Sequence, residues 1–252
     1  MAFNLESITR GKRRSAPRIM IFGPHGVGKT LWAACAPNPI FIQTEDGLGL
    51  LETPAFPLAT TSAQVHEAIS TLYYEANDFQ TVVLDSADWL DNIIRTEIMA
   101  THDAKETSFG KDAVLIAEQW RILLDGFNAL RSKNITLILT AHCEIKRHDP
   151  PDGESFERFQ PKLSKYANAL VQEWADCVLF ANWRTFVKQE VVANKAATPK
   201  NQVTKAKPMA NAERVLYTGE RPAHLAKNRF NLPAELPLNW TDFEAALTAS
   251  MA

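Results

Sequence analysis

A glycine-rich run near the N-terminus has the residue types and the spacing needed to hold a chain of phosphates. Residues 23–30 fit the pattern G-x-x-x-x-G-K-[ST] and stand between a predicted strand and a predicted helix. Glycines let backbone N–H groups turn inward around an anion, and the helix N-terminus adds partial positive charge. Lys29 can reach the terminal phosphates, and the Thr30 hydroxyl can bind an accompanying Mg²⁺. We therefore expect ATP and Mg²⁺ to be bound by Gly23, Pro24, His25, Gly26, Val27, Gly28, Lys29 and Thr30.

An aspartate at the end of a buried strand is the expected partner of this loop. Residues 81–85 read Thr-Val-Val-Leu-Asp, and Asp85 is predicted to join Thr30 in holding the Mg²⁺. An aspartate in this position also commonly caps the helix that follows, so the strand alone is weak support. The metal role depends on the combination of Asp85 with the loop.

A further carboxylate is needed, because Ser86 and not a glutamate follows Asp85. Hydrolysis of a phosphoanhydride requires a group that orients the attacking water. Glu45 lies just beyond the predicted strand 39–43, at the edge where open parallel sheets bind their ligands. We expect Glu45 to be catalytic together with Lys29, and Asp46 is the alternative carboxylate.

The first 174 residues alternate between apolar strands and amphipathic helices. This alternation is typical of an α/β fold with a mostly parallel sheet, right-handed crossovers and helices on both faces. The helix 86–101 should bury a stripe that includes Trp89 and Leu90. The predicted strands are 18–22, 39–43, a short one at 56–60, 81–85 and 135–140, and the predicted helices are 30–36, 62–76, 86–101, 112–132 and 164–174.

The C-terminal half is less regular in sequence. Residues 144–160 contain two prolines and a glycine and are predicted to form a polar loop. Further expected elements are antiparallel edge strands at 176–182 and 185–193, a last strand at 214–218 and a helix at 241–250 that is N-capped by Thr241. The expected organisation is a basic N-terminal arm (1–17), a core (18–240) with a mobile insert near 194–212, and a C-terminal helix (241–252).

The chain resembles the RecA-like recombinase ATPases over roughly residues 18–183. Phe41-Ile-Gln-Thr-Glu45 is similar to the run in which that family carries its water-polarising glutamate, and Asp85-Ser86 matches the end of its Mg²⁺ strand. The family places a polar sensor, usually Gln, after its next core strand. His142 stands there in this chain and is implied to act as a sensor of the γ-phosphate. The resemblance is closest to the bacteriophage proteins of recombination and single-strand annealing, whose ends resemble residues 226–233.

This resemblance also implies partners. RecA-like proteins bind single-stranded DNA through loops that correspond to residues 101–111 and 144–160, and the second loop offers Lys146, Arg147 and Arg158. Four acids dilute that charge, so a solvated loop is the alternative. Members assemble as filaments or rings in which cations from a neighbour complete the site, and Lys162 and Lys165 correspond to those cations. A homo-oligomer is therefore implied, and a single-strand binding protein is a further candidate partner.

Charge is unevenly distributed in a chain whose net charge is −2. Residues 184–230 hold ten basic residues and three acids, an excess of seven that is typical of a phosphate-binding surface or of a lysine-rich solvated linker. Lys227 and Arg229 are the residues of this segment that we assign to DNA. The three cysteines are widely spaced and no apolar run is long enough to span a bilayer, which indicates a cytoplasmic protein that does not contact membranes.

The leading hypothesis is a Mg²⁺-dependent ATPase that assembles on single-stranded DNA and promotes phage-type recombination or annealing. One alternative is a P-loop kinase of small molecules such as nucleotides, which would need an Arg-rich lid. Another is an ATP-gated module that loads or remodels a DNA-processing protein and hardly hydrolyses ATP. A hexameric motor is a fourth option, although no lid helix bundle with a second sensor is recognisable in the sequence.

Overall fold

The computed structural model describes residues 15–107, 110–192 and 203–251. It contains nine strands and seven helices over those residues. The strands are β1 (Arg18–Gly23), β2 (Pro39–Gln43), β3 (Thr81–Asp85), β4 (Thr136–His148), β5 (Phe156–Pro161), β6 (Cys177–Val192), β7 (Val203–Tyr217), β8 (Lys227–Asn228) and β9 (Glu235–Pro237). The helices are α1 (Lys29–Ala34), α2 (Ser62–Tyr74), α3 (Ala87–Thr101), α4 (Ala104–Thr107), α5 (Lys111–Ser132), α6 (Lys165–Trp174) and α7 (Trp240–Met251).

All nine strands belong to one sheet. Seven of them follow the order β2-β3-β4-β1-β6-β7-β9, whereas β5 pairs with β4 and β8 pairs with β6 outside this order. The strands from β2 to β6 are parallel to their neighbours in this order. Beyond them, β7 pairs antiparallel with β6 and β9 pairs antiparallel with β7. The predicted fold class, a mostly parallel α/β sheet with antiparallel strands on its C-terminal side, is confirmed.

Side chains that alternate along the central strands build a hydrophobic core on each face of the sheet. Met20 and Phe22 of β1 face a core that is covered by α2, α3, α5 and α6, with Trp120 and Phe127 at its centre. Ile19 and Ile21 face the second core, to which α1 contributes Trp32 and α7 contributes Phe243. Because each strand is buried on both faces, its sequence is a continuous apolar run. Helices therefore lie on both sides, as predicted.

The prediction of a polar loop at 144–160 is wrong, because β4 continues to His148 and pairs antiparallel with β5. Apolar residues meet across this hairpin, where Ile145 stands opposite Phe159. At its tip, Arg147 Nε donates to Asp149 Oδ1 over 2.8 Å. Polar residues and prolines dominate this stretch, so the alternation of apolar and polar side chains along each strand is weak in the sequence. Each strand is stable only because it pairs with the other.

The strand predictions at 176–193 also need correction. One strand, β6, replaces the two predicted strands, and its first residues pair parallel with β1 rather than lying at an antiparallel edge. The register with β7 shifts between Trp183 and Thr185, at the point where the prediction placed a break. Residues 203–212 of the predicted mobile insert lie in β7. The remainder of that insert, 194–202, lies outside the described residues.

Three smaller differences concern element ends. No regular strand forms at 56–60, where the chain follows β2 and makes an isolated parallel bridge between Phe41 and Ala55. Asn239, not Thr241, caps α7, since its Oδ1 accepts the Asp242 N–H over 2.8 Å. The predicted basic arm falls outside the described residues up to position 14. Within the described ranges, no helix is both long and apolar enough to cross a membrane.

Candidate nucleotide-binding site

The predicted catalytic residues meet at the carboxyl edge of the parallel strands. In the sheet register, Gly23 at the end of β1 lies beside His142 of β4, and Gln43 at the end of β2 lies beside Asp85 of β3. Since β4 stands between β1 and β3, His142 lies between the glycine-rich loop and Asp85. Strand ends that are distant in sequence therefore share one edge, which is where parallel sheets bind ligands.

Two glycines of the loop are required for different reasons. A Cβ built on Gly23 would lie 2.1 Å from the Ala181 carbonyl oxygen of β6, so no other residue fits there. Gly28 has φ of +105°, a conformation that other residues rarely adopt, and it directly precedes α1. These two requirements explain why glycine stands at both ends of the turn between β1 and α1.

Lys29 is buried and is held by its own loop. Its Nζ donates to the carbonyl oxygens of Gly23 and Pro24, each over 3.0 Å. Burial lowers the pKa of Lys29, and the nearby carboxylates of Asp85 and Asp88 act in the opposite direction. An anion that enters the loop would raise the pKa of Lys29 again, because a nearby negative charge favours the charged ammonium.

Asp85 is buried at the end of β3, and its Oδ1 accepts a short hydrogen bond from the Thr140 hydroxyl of β4. Thr30 and Asp85 line the same cavity. A hydroxyl and a carboxylate are hard oxygen ligands, the type that Mg²⁺ prefers. The residues present therefore fit the metal that was expected from the sequence.

Glu45 is positioned by the residue that follows Asp85. Ser86 Oγ donates to Glu45 Oε2 over 3.1 Å, and the Thr44 hydroxyl donates to the Ser86 carbonyl over 2.7 Å. Glu45 Oε2 also lies 3.9 Å from His142 Nδ1. Asp46, the alternative carboxylate, is exposed to solvent. The structure thus favours Glu45, which lines the cavity, over Asp46 as the group next to a bound phosphate.

His142 is fixed by a carboxylate that sequence reasoning missed. Asp88 accepts from the His142 backbone N–H over 3.0 Å, and its second oxygen lies 2.9 Å from His142 Nδ1. Burial opposes ionisation of Asp88, but these hydrogen bonds outweigh it and lower the pKa of the carboxyl. The His142 ring stacks on His25, with centroids 3.9 Å apart, and His142 is the main cause of the lowered pKa of His25. Asp88 lies three residues after Asp85, a spacing that could have suggested it.

These groups surround a cavity of about 460 Å³. Its size lies within the range of small-molecule sites, and polar groups converge on one side of it. The nucleotide cavity is lined by His25, Gly26, Gly28, Lys29, Thr30, Leu31, Glu45, Gly47, Leu48, Leu51, Asp85 and His142. Five of the eight predicted loop residues, the predicted catalytic residues Glu45 and His142 and the predicted metal ligand Asp85 therefore line one cavity, whereas Gly23, Pro24 and Val27 are not part of its lining.

Arg214 of β7 reaches the back of the glycine-rich loop. Its Nη1 donates to the Val27 carbonyl over 3.3 Å, and a Cβ built on Gly28 would lie only 2.6 Å from that nitrogen. The sequence placed Arg214 among the basic residues of 184–230 without a specific role. The contact spans 187 positions, and no local motif signals it.

The cations assigned to a neighbouring subunit lie near the site of their own chain. Lys162 is exposed, and its backbone N–H donates to the His142 carbonyl over 2.9 Å. Lys165 is exposed at the first position of α6. Their action in trans stays a prediction.

The five residues assigned to DNA do not converge. Lys146 and Arg147 are consecutive residues of β4, and they form ion pairs with Glu144 and Asp149 respectively. Arg158 of β5 pairs instead with Glu220 over 3.0 Å. All three side chains lie on the same hairpin but have separate partners.

The other two, Lys227 and Arg229, contact groups of their own chain, although the Arg229 side chain is exposed. Lys227 Nζ donates to the carbonyl oxygens of Gln172, Glu173 and Ala175 at the end of α6. Arg229 Nη1 contacts Asp176 over 3.3 Å. These contacts stabilise the fold, and DNA binding by the two residues stays a prediction.

Comparison with known proteins agrees with this site. A family model described as an AAA domain matches residues 15–230, which include every group of the nucleotide cavity. A search of curated proteins returned no match. Among solved structures, the crystal structure of the RadB recombinase is matched with 16% sequence identity and a TM-score of 0.43 over 81% of each chain. Since the family model covers most of the sequence, the chain belongs to this AAA domain family and carries a nucleotide-binding P-loop ATPase domain.

Proposed function

We propose that the protein is a Mg²⁺-dependent, RecA-like ATPase that assembles on single-stranded DNA and promotes recombination or annealing of the phage type. The observation that carries the enzymatic part is the convergence of Lys29, Glu45, Asp85 and His142 on one cavity. Lys29 begins the helix after β1, Glu45 follows β2, Asp85 ends β3, and His142 stands where the parallel pairing of β4 with β1 ends. Such an arrangement can hold a triphosphate and act on its terminal phosphoryl group.

In this proposal, Lys29 exchanges its two carbonyl contacts for oxygens of the β- and γ-phosphates. Its ammonium then offsets the negative charge that develops as the bond to the γ-phosphorus breaks. The two carbonyl oxygens that hold Lys29 belong to Gly23 and Pro24, so the ammonium already lies within the loop that would bind the phosphates.

Glu45 is the group that acts on water. Held by Ser86, its carboxylate is placed to orient a water for in-line attack and to accept its proton. His142 is kept in one orientation by Asp88, so its other ring nitrogen is free to contact a γ-phosphate. Loss of the γ-phosphate on hydrolysis would remove this contact with His142. Because β4 continues beyond His142 into the β4–β5 hairpin, the change could reach that hairpin.

The metal would be held by the Thr30 hydroxyl and by Asp85, directly or through water. When bound, Mg²⁺ supplies charge neutralisation on the phosphate oxygens. Asp85 is kept in place for this role by the hydroxyl of Thr140.

Support for DNA binding comes from the resemblance to RecA-like proteins and from the cations on the β4–β5 hairpin. That hairpin begins at the sensor residue, so a strand bound along it could alter the geometry around His142. Assembly on DNA is also the state in which Lys162 and Lys165 of one subunit could reach the site of the next.

The proposal is tested by ATP turnover and sedimentation of the wild-type protein, with and without an oligonucleotide such as oligo(dT). We expect single strands to raise turnover and to shift the protein into larger assemblies. Both effects should weaken steeply with added salt, because phosphate contacts release counterions. Turnover and sedimentation that stay the same at low salt would contradict the DNA part of the proposal.

A further inference from the structure

A second cavity of about 570 Å³ adjoins the nucleotide cavity. The two share His25, Glu45 and His142. We call the second cavity the side groove. A ligand in it would touch the same groups that surround a γ-phosphate, so its occupation and the hydrolytic site are in direct physical contact.

One wall of the side groove is a face of α3. Trp89, Asn92 and Arg95 follow one another at intervals of three residues and line the groove. They span about 9 Å along the helix axis. The sequence pattern placed Trp89 on the buried stripe, but its side chain is 46% exposed. Trp32, Trp120, Trp174 and Trp240, in contrast, are all buried. Packing therefore does not account for the position of Trp89.

The opposite wall carries cations. Lys146 and Lys162 line it, next to the start of α6. Lys146 is already paired with Glu144 over 2.6 Å. Arg95 and Lys162, by comparison, form no ion pair with any residue in the described ranges.

The acids of the side groove are already engaged. Asp88 is bound to His142, and Asp91 accepts hydrogen bonds from the Trp120 indole N–H and from Ser164. The groove also holds Glu144, which is paired with Lys146, and the partly exposed Glu45, which accepts from Ser86. The exposed Trp89 ring and the cations Arg95 and Lys162 therefore remain available to a ligand beside these acids.

We propose that the side groove binds one or two nucleotides of single-stranded DNA, with a base stacked on Trp89 and phosphates at Arg95 and Lys162. Stacking on aromatic side chains combined with cations along the backbone is the chemistry that holds single strands without reading their sequence. This inference rests on the proposed function and adds where the strand lies. It places the DNA against Glu45 and His142, which gives DNA-stimulated hydrolysis a direct physical route.

The test uses the intrinsic fluorescence of the full-length protein during titration with oligo(dT). Binding should change the emission of wild-type protein, and Trp89→Phe should keep most of the affinity but lose that change. Trp89→Ala should weaken binding at least about fivefold, the lower end of what loss of one stacked base causes. Arg95→Gln should reduce the salt dependence of binding, by about 0.7 in the slope per phosphate contact.

Matched controls lie outside the side groove. Tyr74→Ala removes an exposed aromatic ring and Arg121→Gln removes an exposed arginine, and neither should alter binding. Circular dichroism and turnover without DNA should be the same for wild type, Trp89→Ala and Arg95→Gln. In the two groove variants, only the stimulation by DNA should fall.

The outcomes separate this inference from the proposed function. If wild-type protein does not bind oligo(dT), the proposed function fails and the inference fails with it. If the wild type binds but Trp89→Ala and Arg95→Gln bind equally well, only the location in the side groove is overturned. Displacement of oligo(dT) by equimolar thymidine monophosphate, with phosphate transferred to it, would identify a small acceptor pocket and would also overturn the inference.

Discussion

Two regions of the molecule are rich in charged residues and use them in opposite ways. At the carboxyl edge of the sheet, Lys29, Glu45 and Asp85 face one another across a cavity. In the C-terminal segment, cations such as Lys227 and Arg229 turn toward carbonyl oxygens and acids of the protein itself. The first arrangement leaves charge available to a ligand, and the second uses charge to hold the fold.

Two acids from outside the segment in which the excess was counted pair with its cations. Asp176 contacts Arg18, Arg131 and Arg229. Glu235 pairs in the same way with both Arg184 and Arg221. Among the described side chains of this segment, Arg184, Arg221 and Arg229 are therefore paired with acids that the fold brings from outside it.

The largest expected effect is at the nucleotide edge. Lys29→Ala should lower ATP turnover by about 10²- to 10³-fold, since it removes the ammonium that offsets charge in phosphoryl transfer. Thermal unfolding should hardly change, because the substitution also removes the cost of burying that charge. Turnover and calorimetry on the same preparation test both statements. Retained turnover would show that the cavity does not act on a triphosphate.

In the fold-holding region, Asp176→Asn should lower the free energy of unfolding by about 3 kcal/mol, because it leaves a cluster of cations without a buried carboxylate. Burial opposes ionisation of Asp176, but the contacts with Arg18 and Arg131 outweigh it and lower its pKa. The stabilisation is therefore complete above the ordinary pKa of about 3.9 and fades as the pH falls through the lower value of the folded state.

Urea denaturation at pH 7 and at pH 3 measures this contribution. The difference in the free energy of unfolding between wild type and Asp176→Asn should be smaller at pH 3. ATP turnover at low temperature should be unaffected, since Asp176 precedes β6 at the opposite edge of the sheet from the cavity. A variant as stable as the wild type at pH 7 would remove the basis for calling this region structural.

A smaller effect is expected at Lys227, where a structural role and a DNA-binding role predict different results. Lys227→Met removes three contacts with carbonyls at the end of α6 and should cost about 1–2 kcal/mol of stability. Affinity for oligo(dT) should not change. Weaker DNA binding with unchanged stability would instead establish the DNA role that the sequence suggested for Lys227.

The smallest effect concerns the residue that joins the two regions. Arg214→Gln loses the contact with the Val27 carbonyl and should raise KM for ATP a few-fold, because one hydrogen bond contributes about 1 kcal/mol to holding the loop. Since Arg214 touches the loop from behind, kcat should be retained. Steady-state kinetics separate the two constants, and a fall in kcat with unchanged KM would contradict a purely positioning role.

Much of the site could be predicted from the sequence because its residues stand where strands end. Parallel strands bring their carboxyl ends to one edge, so a strand pattern followed by a polar residue is enough to predict that Asp85 and Glu45 lie together. The sensor position of His142 was implied by the resemblance to RecA-like ATPases, and β4 in fact continues past it to His148. Asp88 and Arg214 were missed for a different reason. Their roles depend on contacts with His142 and Val27 that arise only when separate elements pack.

Errors in the fold prediction have a similar cause. The β4–β5 hairpin was missed because its strands alternate weakly and are stabilised by each other rather than by their own propensity. Trp89 was assigned to the core since a helical stripe has no sharp border, and a residue at its margin can face either side. Local pattern shows which segments form elements, but pairing and exposure are decided by the rest of the chain.

The most direct test of the central claim is a single-turnover experiment with Glu45→Gln in the presence of Mg²⁺. The substitution keeps the shape of the side chain and its contact with Ser86 but removes the carboxylate that acts on water. We predict that ATP still binds with nearly the wild-type affinity and that the hydrolysis step slows by about 10²-fold or more. Hydrolysis at the wild-type rate would contradict the assignment of Glu45 and, with it, the account of this cavity as a hydrolytic site.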